Sequence, residues 1–168
     1  MKKWFSKKQN IFFLFILGFV AYQQFPVWKN NISQTHKSIP SKEVTVISNN
    51  GVTLTQFPPT SSRAMAIFWA SWCGPCKIEM NRLKKSVESG VIKKEQLFAI
   101  NPFESDIEVK KFLKESDYPF TFVSNPSLAG ELGISVTPTT IFIDKGLITK
   151  MTSGMSLWGI WEAEWYLK

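Results

Sequence analysis

The segment WASWCGPCKIEM, residues 69–80, contains both cysteines of the 168-residue chain. Structural zinc sites take four ligands, whereas the whole chain offers Cys73, Cys76 and one histidine. An attached haem needs a histidine directly after the second cysteine, where Lys77 stands, and an iron–sulfur cluster needs more thiolates. A structural disulfide across so small a loop would restrict the unfolded chain little. The pair is therefore predicted to be a redox-active dithiol, with no metal or other cofactor.

The residues on either side of this pair predict a strand that leads into a helix. Residues 63–70 form a short apolar run, typical of a strand buried on both faces. Apolar residues then recur at steps of four, three and four, and Gly90 ends the pattern. They are Cys76, Met80, Leu83 and Val87. Cys73 is thus expected at a helix N-terminus.

This position favours thiol chemistry. Free N–H groups and the helix dipole stabilise a thiolate at Cys73, and the thiolate is the attacking species. Pro75 has no N–H group and pre-sets the first helical turn. Cys76, one turn into the helix and facing the core, is placed to attack the Cys73 sulfur in a mixed disulfide. Cys73 and Cys76 are therefore the predicted catalytic residues.

The rest of the pattern predicts an α/β fold, a mixed central sheet with helices on both faces. Two β-branched runs flank Asn49-Asn50-Gly51 and predict a hairpin ahead of the buried strand. Ser105 and Glu108 form a capping box that opens a helix. Further strands are predicted at residues 97–100, 120–123, 139–143 and 147–152, with a short helical turn at 128–132.

Three tryptophans lie on one face of a predicted last helix: Trp158, Trp161 and Trp165. Helical spacing of large apolar residues favours packing against the sheet, so these side chains are predicted to belong to the core. A membrane-interface belt is the alternative.

The N-terminus has the pattern of an exported, anchored protein. Four lysines precede an apolar run, and cations on that side of the run stay in the cytoplasm. We expect a cytoplasmic basic tail at residues 1–10, a transmembrane anchor at 11–28, a linker at 29–42 and a domain at 43–168. The domain would face the periplasm, tethered to the inner membrane. A cleaved signal peptide is the rival, but Phe19 and Ala21 fit a cleavage site badly.

The net charge of +7 belongs to the tail rather than to the domain. Residues 1–40 hold six basic side chains and no acid, whereas residues 41–168 hold 14 basic and 13 acidic ones. The domain therefore has an excess of only one positive charge, and no nucleic-acid partner is expected.

The segment FWASWCGPCK resembles the active site of thioredoxins, and Val136-Thr137-Pro138-Thr139 resembles their second motif. The resemblance implies a thioredoxin fold with an extra N-terminal hairpin, and a cis proline that faces the cysteine pair. Thr137 and Pro138 would bind a substrate backbone as an added strand. Trp72, Gly74 and Pro75 would shape the binding surface around Cys73.

The anchor, the leading hairpin and Glu79 are similar to the membrane-tethered group around TlpA and ResA. The tail GISVTPTTIFIDKG is similar, within that group, to the suppressor-of-copper-sensitivity protein D (ScsD) type. Cytoplasmic thioredoxins have a buried aspartate six residues before the first cysteine, where this chain has Ile67. The resemblance implies that Glu79 tunes the cysteines instead. A solvated helix glutamate is the alternative.

These features predict a membrane-tethered thiol:disulfide oxidoreductase of the reductase type. Its substrates would be protein thiols and disulfides, and a membrane partner would recycle the pair. The dipeptide Gly74-Pro75 matches thioredoxin, whose couple of about −270 mV is strongly reducing. Three alternatives stay open: a disulfide-forming oxidase or isomerase, a peroxiredoxin-like peroxidase, and a non-catalytic peptide-binding module.

Overall fold

The computed structural model describes residues 7–48, 51–60 and 62–168. Within these residues a seven-stranded sheet has the order β2-β1-β5-β4-β3-β6-β7. The strands are β1 (Lys42–Ser48), β2 (Gly51–Phe57), β3 (Arg63–Phe68), β4 (Leu97–Ile100), β5 (Thr121–Ser124), β6 (Thr139–Asp144) and β7 (Leu147–Ser153). The helices are α1 (Lys7–Gln34), α2 (Gly74–Glu88), α3 (Asp106–Lys114), α4 (Pro126–Glu131) and α5 (Gly159–Leu167).

The sheet is mixed, as predicted. β4 pairs in parallel with β3 and with β5, and the other strand pairs are antiparallel. The hairpin β1–β2 extends the sheet at one edge and β6–β7 closes it at the other. Residues 49 and 50 of the predicted Asn-Gly turn lie outside the described residues. This arrangement confirms the expected thioredoxin fold with an additional N-terminal hairpin.

Two apolar clusters lie on opposite faces of the sheet. One contains side chains of α2, α3 and α5, among them Met80, Leu113 and Ala163. The other contains Leu128 and Ala129 of α4. The central strand β3 contributes alternate residues to both clusters, so five of its six residues are buried. This explains why the strand reads as a continuous apolar run.

The predicted linker differs from the structure. α1 continues through Pro26 to Gln34, so the first residues expected as a connector are helical. Asn30 Nδ2 donates hydrogen bonds to the carbonyl oxygens of Leu132 and Gly133, at 3.0 and 3.1 Å. The sequence predicts a linker at residues 29–34 because these residues are mostly polar. A solvated connector and a helix end that is docked on a domain can have the same polar composition. Only the folded domain supplies these acceptors.

The tryptophans of α5 are exposed, and the prediction that they pack in the core is wrong. Trp158, Trp161 and Trp165 have exposed fractions of 68, 58 and 79%. The opposite side of the helix is buried instead, through Ala163 and Leu167. α5 has an apolar stripe on both sides, so periodicity alone does not identify the buried one.

Candidate active site

Cys73 and Cys76 form a disulfide at the start of α2. Cys73 is the N-cap residue of the helix, and its Sγ accepts a hydrogen bond from the Cys76 backbone N–H at 3.2 Å. Pro75 lies in the first turn, as expected from the sequence. Cys73 keeps an exposed fraction of 5%, whereas Cys76 is fully buried. Of the two sulfurs, the one at Cys73 is therefore the one that a substrate can reach.

The surface beside the pair is apolar. Trp72 is 70% exposed, and its ring lies 6.3 Å from the ring of Phe103, measured between centroids. Gly74 and Pro75 are exposed next to Cys73. Trp69, which precedes this loop, is fully buried instead, and it packs against Phe112 and Phe122. Only the second tryptophan of the motif can therefore meet a partner molecule.

The second sequence motif lies at the same end of the sheet. The peptide bond between Thr137 and Pro138 is cis. Pro138 directly precedes β6, whose first residue Thr139 pairs with Phe68, the last residue of β3. The Pro138 carbonyl accepts a hydrogen bond from Gly154 N–H at 2.7 Å. The structure thus brings the cis-proline loop and the cysteine loop, 65 residues apart in sequence, to the same end of the sheet.

Glu79 is a buried carboxyl group on α2. Its exposed fraction is 5%, and no hydrogen-bond donor among the described residues reaches Oε2. Burial raises the pKa of Glu79 from 4.5 to about 7, and the positive charge of Arg82 opposes the rise. Gly159 approaches so closely that a Cβ atom there would lie 3.0 Å from Glu79 Oε1. The alternative of a solvated helix glutamate does not describe this side chain.

A small cavity borders Glu79. It has a volume of about 10 Å³ and is lined by Met65, Thr140, Phe142 and Gly159 among others. That volume matches about one water molecule. A carboxyl group with a pKa near 7 can take up or release a proton at neutral pH. Glu79 lies three residues after Cys76 on the same helix.

A second carboxylate, which the sequence reasoning missed, holds the cysteine loop. Glu104 accepts hydrogen bonds from the backbone N–H and the hydroxyl of Ser71. It also accepts one from Asn101 Nδ2 at 2.6 Å. Burial raises the pKa of Glu104, but the bonds from Ser71 and Asn101, together with the charge of Lys77, outweigh burial and lower it overall. The only signal in the sequence is a polar residue, Asn101, directly after a buried strand.

A metal site is not apparent at this end of the fold. Across residues 7–48, 51–60 and 62–168, no group of three or more His, Cys, Asp or Glu side chains is close enough to hold a metal ion. The reactive groups that the structure does bring together here are the two sulfur atoms and the carboxyl groups near them.

Comparison with known proteins identifies the family. Residues 35–151 match the AhpC/TSA family. The chain belongs to the AhpC/TSA family. It is 28% identical over 131 residues to the thiol-disulfide oxidoreductase ResA of Bacillus cereus, a match that covers 77% of this chain and 74% of that protein. It is 31% identical over 116 residues to the thiol:disulfide interchange protein DsbE of Pseudomonas fluorescens biotype C, a match that covers 67% of this chain and 63% of DsbE.

A solved structure shows the same fold. StoA from Bacillus subtilis superposes with a TM-score of 0.64 at 21% identity, over 79% of this chain and 100% of the StoA chain. The resemblance to the group around ResA is thus confirmed, and so is the thioredoxin-like fold. The narrower resemblance to the ScsD type stays a prediction.

The N-terminal helix has the length and composition of a membrane span. Within the described residues, one segment, Ile11–Gln34, is long and apolar enough to cross a bilayer, and none of its most apolar stretch is buried. It fits a single-pass membrane anchor.

Proposed function

We propose that this protein is a membrane-tethered thiol:disulfide oxidoreductase that reduces protein disulfides outside the cytoplasm. The observation that carries the proposal is the bonded pair Cys73–Cys76 at the N-terminus of α2. The names of the relatives ResA and DsbE, both of which act on thiols and disulfides, support it. The anchor and its lysine-rich N-terminal side support a location in the inner membrane with the domain in the periplasm.

Reduction would begin with the dithiol form of the pair. The Cys73 thiolate attacks one sulfur of a substrate disulfide, the substrate S–S bond breaks, and the departing thiolate takes a proton. Cys76, as a thiolate, then attacks the Cys73 sulfur. The Cys73–substrate bond breaks, and the second substrate thiolate leaves and is protonated. The substrate gains two electrons and two protons, and the Cys73–Cys76 disulfide is the oxidised product.

Substrate binding would use the groove beside the cis proline. An extended substrate segment can add as a strand to the backbone at Thr137, next to Pro138. Trp72, Gly74 and Pro75 would contact the same segment from the cysteine loop. Glu79 would exchange the proton that the buried pair gains or loses, since its pKa of about 7 suits that role at neutral pH.

The direction of electron flow is proposed from the dipeptide between the cysteines. Gly74-Pro75 is the dipeptide of thioredoxin, whose potential of about −270 mV is far below that of a strong oxidant such as DsbA, about −120 mV. A membrane-bound dithiol donor would then return the pair to its reduced state after each cycle.

Trapping of mixed disulfides tests this function. Cys76→Ala removes the resolving sulfur, so covalent complexes between Cys73 and its substrates should accumulate in the native compartment. Cys73→Ala is the matched control and should trap none. Recovery of the wild-type protein mainly as the dithiol supports a reductase, whereas recovery mainly as the disulfide supports an oxidase. Absence of trapped partners together with peroxide turnover by Cys76→Ser would contradict the proposal and favour the peroxidase.

A further inference from the structure

The end of the domain that carries the cysteines has an apolar rim. β3 and β4 are parallel, so the loops that follow them meet at one end of the sheet. β6 begins at that end and β7 finishes there, since both are antiparallel to their neighbours. Exposed apolar side chains in these four connections form the rim: Trp72, Phe103, Val136, Leu157 and Trp158. Exposed apolar groups gathered at one surface mark an interaction site.

The direction in which α1 leaves the domain can be read from its contacts with β7. Asn31 Oδ1 accepts a hydrogen bond from the hydroxyl of Ser153, which is the last residue of β7 and lies at the active-site end. Ser38 forms a bridge with Leu147, the first residue of β7, at the opposite end. Residues 31–38 therefore run antiparallel to β7. The part of α1 that precedes Asn31 projects beyond the active-site end.

The apolar part of α1, residues 11–28, ends at the surface of the domain. At 1.5 Å per residue, residues 11–28 span about 27 Å, close to the hydrocarbon thickness of a bilayer. Pro26 and Val27, at the end of this span, line a cavity of about 220 Å³ together with residues 133–136 of the loop that leads to the cis proline. Trp28, one residue further on, is exposed. Tryptophan at the end of an apolar span marks the headgroup level, which places that level beside the cis-proline loop.

A continuous series of hydrogen bonds links α1 to the cis-proline loop. The Ser153 hydroxyl that bonds Asn31 also accepts a hydrogen bond from Thr139 Oγ1, at 3.0 Å. Thr139 directly follows Pro138, and its Oγ1 also lies 2.8 Å from the Val136 carbonyl oxygen. These bonds fix the last turn of α1 against the cis-proline loop, so the direction of the anchor relative to the site is set by the fold.

We propose that the active-site end of the domain faces the bilayer, with the apolar rim in the headgroup region. The disulfides that the pair exchanges are then those presented at the membrane surface by membrane-embedded or lipid-anchored proteins. This inference rests on the proposed function, both for the redox activity and for the anchor. The occupant of the rim is the phospholipid interface rather than an apolar peptide, because the rim and the anchor lie at the same end of the molecule.

Spin labels at the two ends of the domain test the orientation. The full chain carrying Cys73→Ser and Cys76→Ser receives a label either at Leu157→Cys, on the rim, or at Lys145→Cys, in the β6–β7 turn at the opposite end. Each protein is placed in vesicles of phosphatidylethanolamine and phosphatidylglycerol. The label at 157 should collide with oxygen in preference to a water-soluble nickel complex, and the label at 145 should show the reverse. A label at 157 that behaves like the one at 145, or that is shielded from both reagents, overturns the proposal.

Exchange rates separate this inference from the proposed function. The substrates are a disulfide peptide attached to a lipid in the same vesicles and the same peptide in solution. Leu157→Ser with Trp158→Ser should slow exchange with the anchored peptide roughly tenfold or more, because the rim no longer enters the headgroup region and the still-tethered pair meets the anchored disulfide less often. Exchange with the soluble peptide should be unchanged, and Lys145→Ser should affect neither.

Each remaining outcome contradicts the membrane orientation, and one of them contradicts the proposed function as well. Equal losses on both peptides would show that the rim binds the substrate chain itself, which overturns the membrane orientation alone. The membrane orientation is also overturned if the wild-type protein exchanges with the soluble peptide and with the lipid-anchored peptide at the same rate. A wild-type protein that exchanges with neither peptide contradicts the proposed function, and with it the inference that depends on it.

Discussion

At the scale of single residues, Glu79 is the group whose environment the sequence describes least. A glutamate between Lys77 and Arg82 on an amphipathic helix reads equally well as a solvated side chain. The structure buries it against Gly159, and burial raises its pKa to about 7. Thioredoxin's aspartate would lie at Ile67, which is buried on the same face of the sheet as Glu79's helix. The buried carboxyl group on this face of the sheet thus comes from the helix and not from the strand.

Replacement of Glu79 should change how the cysteines respond to pH. In Glu79→Gln the rate of thiol alkylation should lose the inflection near pH 7 that titration of a neighbouring carboxyl group imposes. The measurement is the alkylation rate of the reduced protein across the neutral range. Glu88→Gln, the same change on the exposed side of α2, should leave the profile unaltered. A Glu79→Gln profile that superposes on the wild type would contradict the role of Glu79.

The same substitution should change the pH dependence of stability. Because the pKa of Glu79 is higher in the folded state, about 7, than its ordinary value of 4.5, the folded state binds the proton more tightly. The free energy of unfolding therefore falls as the pH rises from about 4.5 to about 7, by at most about 3 kcal/mol. Glu79→Gln should remove this decline, as measured by urea unfolding at several pH values. A decline of the same size in the variant would refute the assignment.

Glu104 should control the order of the cysteine loop. Glu104→Gln loses the charge that accepts hydrogen bonds from Ser71 and Asn101, so we expect a loss of about 1–3 kcal/mol in stability. Because the pKa of Glu104 is lowered in the folded state, its contribution is lost in the wild type as the pH falls through that lowered value. Hydrogen exchange of the backbone amides at residues 71–73 should accelerate.

The matched control for this change is Glu108→Gln. Glu108 completes the capping box of α3 with Ser105, and it lies four residues from Glu104. Its loss should weaken the start of α3 slightly, because one half of the capping box is removed, without accelerating exchange at residues 71–73. Equal acceleration in both variants would show that global unfolding, and not the loop contact, governs exchange there.

At the scale of elements, the docked end of α1 depends on a close approach to the loop after α4. Gly133 has a φ of +62°, and a Cβ atom there would lie 2.8 Å from Asn30 Oδ1. Glycine meets both requirements, since it adopts positive φ without strain and leaves room for the asparagine. The side chain of Asn30 then reaches the carbonyl oxygens of Leu132 and Gly133.

A pair of glycine substitutions tests this contact. Gly133→Ala should cost about 1–2 kcal/mol from the left-handed conformation alone, and more from displacement of Asn30. It should also loosen the last turn of α1, which hydrogen exchange at residues 30–36 would record. Gly130→Ala, three residues earlier within α4, meets nothing within 4 Å and should be neutral or stabilising by up to about 1 kcal/mol. Similar effects of the two changes would contradict the proposed contact.

At the scale of the whole molecule, the N-terminal helix and the domain are held in one relative orientation. Asn30, Asn31 and Ser38 tie residues 30–38 to β7 and to the loop after α4. A redox site on a flexible tether would sample many orientations, whereas this connection fixes one. Under the proposed membrane orientation, the position of the site relative to the membrane is therefore set by the fold.

Retention of the anchor can be measured directly. We expect the mature protein to keep its full mass of 19.2 kDa and to resist extraction from membranes by alkaline carbonate, because an uncleaved apolar span stays in the bilayer. Loss of about twenty N-terminal residues would instead reveal a cleaved signal peptide. Release by carbonate at full mass would show that α1 does not span the bilayer.

Most of the fold and the reactive pair follow from patterns in the amino-acid sequence. The cysteine spacing, the apolar run of β3 and the capping box at Ser105 are local patterns. Such patterns are sufficient to predict the individual strands and helices. The alternation of these strands and helices along the chain then predicts a mixed sheet covered by helices. The expectation that Pro138 faces the pair came instead from the resemblance to thioredoxins.

Three further features cannot be read from the sequence and emerge only in the folded chain: the burial of Glu79, the exposed side of α5 and the docking of α1. Each depends on contacts between residues far apart in sequence, such as Glu79 with Gly159 and Asn31 with Ser153. Periodicity reports that a helix has an apolar stripe, but α5 has two, and only its contacts with the sheet show that the side with Ala163 and Leu167 is buried. A polar segment such as residues 29–34 likewise becomes a docked helix only because the folded domain offers acceptors for its side chains.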